Sequence, residues 1–217
     1  MSKEVGYWLV CAIVIGYGSI AYGAGNASLG KTKSAACAGC HGAEGNSMAP
    51  IFPRLAGQHA KYLNRQLSDF KGQKRTDPSM QAMVAGLSEQ DMEDLAAYFA
   101  VQKPEFSARE VDQADDTNED VTVTEELIAT GKALFTAGSE KNGVPACSAC
   151  HGPDANGNGP AGFPKLNGQY LPYLIKSLND FKDGIRANDD GAMMRTTAGK
   201  MTKAQIDAVS AYLANLR

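Results

Sequence analysis

Two short stretches hold the residue types best suited to covalent and metal chemistry. SAACAGCHGAEGNS, residues 34–47, contains Cys37, Cys40 and His41, and PACSACHGPDANGNG, residues 145–159, contains Cys147, Cys150 and His151. Both read Cys-x-x-Cys-His. A disulfide inside each pair would suit thiol exchange in an oxidising compartment, but it leaves both histidines without a role and no βαβ pattern surrounds it. A zinc site takes four ligands from paired Cys-x-x-Cys units, and here the pairs stand 110 residues apart. An iron–sulfur cluster wants four thiolates at one place, and each stretch offers two.

The reading that uses every one of these side chains is covalent haem attachment. The two thiols add to the haem vinyl groups, and the adjacent histidine sits beneath the iron as its proximal ligand. Two copies imply two covalently bound haem c groups, held by Cys37, Cys40, Cys147 and Cys150, with His41 and His151 on the iron. The chain has three histidines, and His59 alone cannot complete two haems, so methionine is the expected sixth ligand. Eight methionines are present. Comparing the halves selects two. Met80 precedes Ser88 by eight residues, and Met194 precedes Thr202 by eight. Met83 and Met193 fall where the other half has Thr197 and Ser79. Met80 and Met194 are therefore the expected axial ligands; Met92 and Met201 read as core, and Met48 as loop.

The elements that must position these groups also occur twice. FPRLAGQ (52–58) matches FPKLNGQ (163–169), YLNRQLSDFK (62–71) matches YLIKSLNDFK (173–182), and GLSEQDMEDLAAYF (86–99) matches KMTKAQIDAVSAYL (200–213). The last pair opens on Ser88 with Asp91 and on Thr202 with Gln205, two capping-box starts. Apolar residues follow at helical spacing: Met92, Leu95, Tyr98 and Phe99, then Ile206, Val209, Tyr212 and Leu213. A middle helix carries Tyr62, Leu63, Leu67 and Phe70, mirrored by Tyr173, Leu174, Leu178 and Phe181. A third precedes each cysteine pair. No strand-like alternation stands out, so two all-α units are expected.

Other repeated residues fit a supporting role. Pro53 and Pro164 follow the histidines by 12 and 13 residues, and their carbonyls could accept the second ring N–H; the alternative is that they only stiffen a loop. Arg75 and Arg186 could pair with haem propionates, or lie exposed without that role. His59 faces Tyr170 across the repeat and reads as a surface or interface residue.

The 217 residues carry a formal net charge of −3, which gives no case for nucleic-acid binding. The charge is unevenly placed. Residues 104–126 hold nine acidic residues and one basic, Arg109, and read as a solvated linker. The flanking units, 25–103 and 127–217, are mildly basic at +2 and +3. Residues 1–24 resemble a secretory leader cut near Gly23 or Ala24; the alternative is a retained anchor, because residues 5–24 approach the ~20 residues of a membrane span. Any membrane association would run through that segment alone. Cys11, inside it, lacks the small residues of a lipidation site.

Taken together, both CxxCHG motifs, the paired FP[RK]L-x-GQ and LxDFK segments and the two methionines before capped helices make the sequence resemble the di-haem cytochrome c4 family. The resemblance covers the chain beyond residue 24. It implies two tandem class I cytochrome c domains related by pseudo-two-fold symmetry, with haems close enough to exchange electrons. It implies a periplasmic electron carrier and not an enzyme, with respiratory redox partners: quinol:cytochrome c reductase as donor and a terminal oxidase, often cbb3-type, as acceptor. Two other functions remain as alternatives, a di-haem peroxidase-like enzyme and a membrane-tethered haem subunit of an oxidase complex. The acidic linker is longer and more charged than the family pattern suggests.

Overall fold

The structure is a computed structural model that describes residues 25–106 and 121–217. The leader or anchor expected at 1–24, and the middle of the acidic segment, lie outside the described residues. The first half holds α1 (Ala27–Lys33), α2 (Ala38–His41), α3 (Ala60–Lys71), α4 (Pro78–Val84) and α5 (Glu89–Ala100). The second repeats the order with α6 (Glu125–Ala137), α7 (Ser148–His151), α8 (Leu171–Lys182), α9 (Met193–Ala198) and α10 (Lys203–Asn215). Among the described residues there are no strands, only two isolated bridges, Ser139 with Val144 and Asn158 with Phe163. The expected all-α, two-unit architecture is what forms.

Helix starts are set by side chains that satisfy the orphan N–H groups of a first turn. Ser88 and Thr202 each form a complete capping box, with Asp91 and Gln205 reaching back to the cap N–H. Asp77 caps α4, and Pro78 occupies its first position, where a missing N–H costs nothing. The motif Asp-Pro thus marks a short helix that apolar periodicity does not reveal; α9 has no such mark.

Each unit closes by crossing its first helix over its last. In the first, α1 packs on α5, and α3 supports α5 from another side. In the second, α6 packs on α10 beside α8. The cores are matched: Leu63, Leu95, Ala96, Tyr98 and Phe99 in one, and Phe135, Leu174, Ile206, Val209 and Leu213 among others in the second. Met92 and Met201 are buried, as expected for core residues. Glycine decides how closely the helices cross. A Cβ added to Gly30 would lie 2.0 Å from the carbonyl oxygen of Asp94, and one on Gly131 would lie 1.9 Å from that of Ala208. Backbone touches backbone at both crossings, which no side chain permits.

The same crossing also differs between the halves. Where the second has Ala208, the first has Asp94, whose side chain is fully buried. Its carboxylate accepts from Lys33 Nζ at 2.6 Å, from the Asn26 backbone N–H at 2.8 Å and from Gln90 at 2.9 Å. These bonds, led by that from Lys33, hold Asp94 below the ordinary carboxylate range. Lys33 also pairs with Asp91 at 2.7 Å, so one ammonium ties α1 to α5.

Both ends of the acidic segment belong to the folded units. Arg54 of the first half bonds the Glu105 carbonyl at 2.8 Å and lies over the Phe106 ring at 5.0 Å. Val121 joins the second core, and Glu125 and Glu126 form the first turn of α6, where negative charge complements the helix dipole.

Two outcomes follow. Gly131→Ala should destabilise the protein: alanine gains about 1 kcal/mol of helix propensity, but forcing a methyl into a packed backbone crossing costs about 3 kcal/mol, so urea midpoints should fall. Acid should loosen the first half before the second. Asp94 is depressed, so its contribution is present above the unfolded carboxylate pKa of about 4 and is lost as pH falls through the folded value. Hydrogen exchange resolved by half should show α1 and α5 opening first below that pH, and Asp94→Asn should abolish the difference.

Candidate functional site

Cys37 and Cys147 cap single-turn helices, α2 and α7, and the second cysteine and the histidine follow at i+3 and i+4. On a helical turn those positions share one face, so both thiols and the imidazole point to the same side. Gly42 and Gly152 end the turns with φ of 77° and 78°. That left-handed region belongs to glycine, which explains why the motif continues as CHG. The four cysteines of the two motifs are free thiols, Cys40 and Cys150 exposed and Cys37 and Cys147 half-buried.

The histidines are buried, 7% and 6% exposed. His41 Nδ1 lies 3.0 Å from the Pro53 carbonyl, and His151 Nδ1 lies 3.0 Å from the Pro164 carbonyl. A carbonyl only accepts, so Nδ1 carries the proton and Nε2 keeps its lone pair for a metal. Burial, opposed by the proline bond, lowers both histidine pKa values, and the rings are neutral near pH 7. The residue before each proline adds an aromatic contact: Phe52 to His41 and Phe163 to His151, each at 6.1 Å between ring centroids.

Thiol exchange meets an electrostatic obstacle. Burial, then the neighbouring Cys40, pushes the Cys37 thiol up, and burial pushes Cys147 to about 11. A thiol that high is not a nucleophile at neutral pH. Among the described residues no cluster of three or more His, Cys, Asp or Glu side chains is arranged to hold a bare ion, so a zinc site lacks its ligand set.

Met80 sits in the first turn of α4, its backbone N–H held by Asp77 at 3.0 Å. Met194 is the second residue of α9. Both are half-buried, while Met83 and Met193 are each 45% exposed and Met48 is 96% exposed.

Arg75 and Arg186 are not surface residues. They lie between the halves, stacked on Phe70 and Phe181 with guanidinium carbons 4.6 and 4.4 Å from the ring centroids. Each reaches the other half: Arg75 Nη2 to Tyr173 OH at 3.1 Å, Arg186 Nη2 to Tyr62 OH at 3.0 Å. Gln66 Oε1 accepts from both, at 2.8 and 3.0 Å, and from Asn188 at 2.9 Å. Among the described residues neither guanidinium has a carboxylate partner. Burial alone would raise the Tyr173 pKa, but the two arginines outweigh it and hold the phenol at about 7. The buried Asp69 carboxylate joins the same network through Asn188 at 2.7 Å.

Further contacts join the halves in matched pairs. Gln169 accepts from Arg54 N–H at 2.8 Å and donates to Arg54 O at 3.0 Å; Gln58 does the same to Lys165 at 2.9 and 3.0 Å. Positions 54 and 165, and 58 and 169, correspond in the repeat, so the contacts are reciprocal as a two-fold axis requires. His59 lies in this interface, with Nε2 2.8 Å from the Asn156 carbonyl. The glutamines and tyrosines are residues that motif reading passed over. Their signal was present: Gln58 and Gln169 occupy the same loop position in the two halves, and Tyr62 and Tyr173 the same helix position.

The family model described as Cytochrome c matches residues 27–101 and 128–217. Cytochrome c4 of Pseudomonas aeruginosa is 43% identical over 205 residues, which span 94% of this chain and 95% of that protein. The chain belongs to the cytochrome c4 family. The crystal structure of reduced recombinant cytochrome c4 from Pseudomonas stutzeri aligns with a TM-score of 0.80 at 41% identity, covering 89% of this chain and all of that one (100%). A thiosulfate dehydrogenase electron acceptor of Stutzerimonas stutzeri is 38% identical, over 83% of this chain and 79% of that protein.

Cytochrome c4 membership brings two covalent haem c groups, and the residues present fit them. Each half offers two unpaired thiols and one Nε2 lone pair on the same face of a turn. Neither buried guanidinium is ion-paired directly with a carboxylate among the described residues, and the propionates of the group would supply one.

Removing one seam contact tests its worth. Tyr173→Phe leaves one Arg75 N–H without its acceptor and should cost about 1 kcal/mol. A double-mutant cycle with Tyr62→Phe should give non-additive losses in denaturant unfolding, because both arginines share Gln66 Oε1 and the two phenols belong to one network.

Proposed function

We propose that this di-haem cytochrome carries single electrons on the periplasmic side of the membrane, from quinol:cytochrome c reductase to a terminal oxidase of the cbb3 type. The observation that carries the reading is the doubled histidine anchor: each Cys-x-x-Cys-His turn has its Nδ1 bonded to a proline carbonyl at 3.0 Å. A rigid imidazole with a fixed tautomer suits an electron carrier, because little has to rearrange when the charge changes.

The residues have separate duties. Cys37, Cys40, Cys147 and Cys150 are the covalent anchors. His41 and His151 supply the proximal nitrogen, and Pro53 and Pro164 orient it. Met80 and Met194 would offer thioether sulfur to the iron. Arg75 and Arg186 would offer positive charge to anionic groups of the bound cofactors. The haem iron, when bound, supplies the one-electron step between ferric and ferrous states. Methionine sulfur on both irons would leave no open site for peroxide or oxygen, which speaks against the peroxidase-like alternative. No helix among the described residues is long and apolar enough to cross a membrane, so a tethered oxidase subunit would depend on residues 1–24.

A second donor is favoured by one specific finding, the relative named as a thiosulfate dehydrogenase electron acceptor. An enzyme oxidising thiosulfate could reduce this chain as well. Such contacts are small and short-lived, so one surface can serve several partners. Reduction rates with purified quinol:cytochrome c reductase and with thiosulfate dehydrogenase separate the two donors.

Ligation is tested by redox titration with optical spectra on the purified holoprotein. The weak red band of methionine-bound ferric haem should integrate to two per chain. Met80→Ala and Met194→Ala should each remove half of it, convert one haem to high spin and lower its potential. Met83→Ala should leave the spectrum intact. Loss of the band in Met83→Ala would move the ligand one helical turn along α4.

A further inference from the structure

We infer that Gln58 and Gln169 are positioning residues for the axial histidine of the opposite half. The inference rests on the axial role of His41 and His151 proposed above. Each peptide unit is one planar, conjugated group. The Pro53 carbonyl and the Arg54 N–H belong to the same unit. His41 Nδ1–H donates to that carbonyl at 3.0 Å, and the Arg54 N–H donates to Gln169 Oε1 at 2.8 Å. In the other direction, His151 Nδ1–H donates to Pro164 O at 3.0 Å, and Lys165 N–H of the same unit donates to Gln58 Oε1 at 2.9 Å. A single peptide therefore stands between each histidine and a side chain from the other half.

Hydrogen bonds in series polarise one another, by roughly 10–30% per bond. A peptide whose N–H is engaged by an amide oxygen has a more negative carbonyl. That carbonyl pulls harder on the imidazole Nδ1–H. A stronger Nδ1–H bond makes the ring more electron-rich at Nε2 and favours the higher oxidation state of a bound metal. The path is dry: Arg54 is 4% exposed, Gln58 7%, Gln169 8% and His41 7%, so water does not replace a lost acceptor at no cost.

A simple staple between domains would not need this arrangement. Each glutamine also donates to the carbonyl after the same peptide, to Arg54 O and Lys165 O at 3.0 Å, and so clamps the backbone on both sides. Each Oε1 further accepts the N–H of its own next residue, His59 at 3.0 Å and Tyr170 at 3.1 Å, which fixes the direction of the amide. Both halves direct this clamp at the one peptide that holds the histidine. Neither glutamine makes such a bond to its own half's histidine peptide. The potential of each half therefore depends on docking of the other.

The test uses holoprotein labelled with nitrogen-15 at histidine, in the diamagnetic reduced state, together with spectroelectrochemistry. In Gln169→Leu the His41 ring N–H resonance should move upfield and exchange faster while that of His151 holds its position, and one of the two potentials should rise. In Gln58→Leu the His151 resonance should move and the other potential should rise. Gln169→Glu keeps the acceptor and should restore the His41 resonance. Ring resonances that stay fixed in both leucine variants, or that move together in each, would overturn the inference. A shift confined to the mutated residue's own half would do so as well. Absence of iron-bound imidazole signals in the unsubstituted holoprotein would instead remove the axial-histidine reading beneath it. If Gln169→Leu does not yield holoprotein, Gln58→Leu decides alone.

Discussion

The bond from each histidine Nδ1–H to a proline carbonyl sets the terms for the rest of the fold. A neutral imidazole has two tautomers and a ring free to turn, and only one arrangement presents Nε2 steadily to a metal. The carbonyl fixes both. For that carbonyl to be in place, the loop from the cysteine turn must fold back within 12 or 13 residues, and it does so through glycines and bonds such as Leu55 N–H to Gly45 O at 2.8 Å and Leu166 N–H to Ala155 O at 2.8 Å. The helices then hold this loop from outside. The duplicated FP motif is the sequence trace of this constraint, since phenylalanine contacts the ring and proline accepts from it.

The seam between halves follows from a second constraint, charge without a protein partner. Two guanidinium groups are buried side by side among tyrosines, a glutamine and an asparagine. Burying such groups is costly unless they are paired, and aromatic stacking with phenolic acceptors offsets only part of that cost. The propionate edge of two bound groups would balance the charge. On this view the cofactors and the domain interface stabilise each other, and the apoprotein would hold its two halves together less firmly than the holoprotein does.

Much of this was legible in the residues. The cysteine turns, both capping boxes, the long helices α3, α5, α6, α8 and α10 and the buried roles of Met92 and Met201 all follow from local rules. The proline contacts to the histidines were one of two open readings and required the fold to choose. Arg75 and Arg186 were read by spacing alone, which could not tell a buried seam from open solvent. Helix α4 was hidden because its seven residues are too few for periodicity, though Asp77–Pro78 announced its start. The reciprocal glutamines were quoted within a motif yet given no role. A side chain bonding another segment's backbone leaves no pattern in sequence; it depends on two loops meeting across more than 100 residues.

The crossings at Gly30 and Gly131 bear on the order in which the protein is made. In both halves the opening helix finds its resting place only against the closing one, and the cysteine turn lies between them in the chain. While a half is still emerging, its first helix has nothing to lean on and the thiols stand on an unfinished, open segment. Haem attachment at that stage would take place on accessible peptide rather than inside a closed globule. Arrival of the final helix would then seal the porphyrin in behind it.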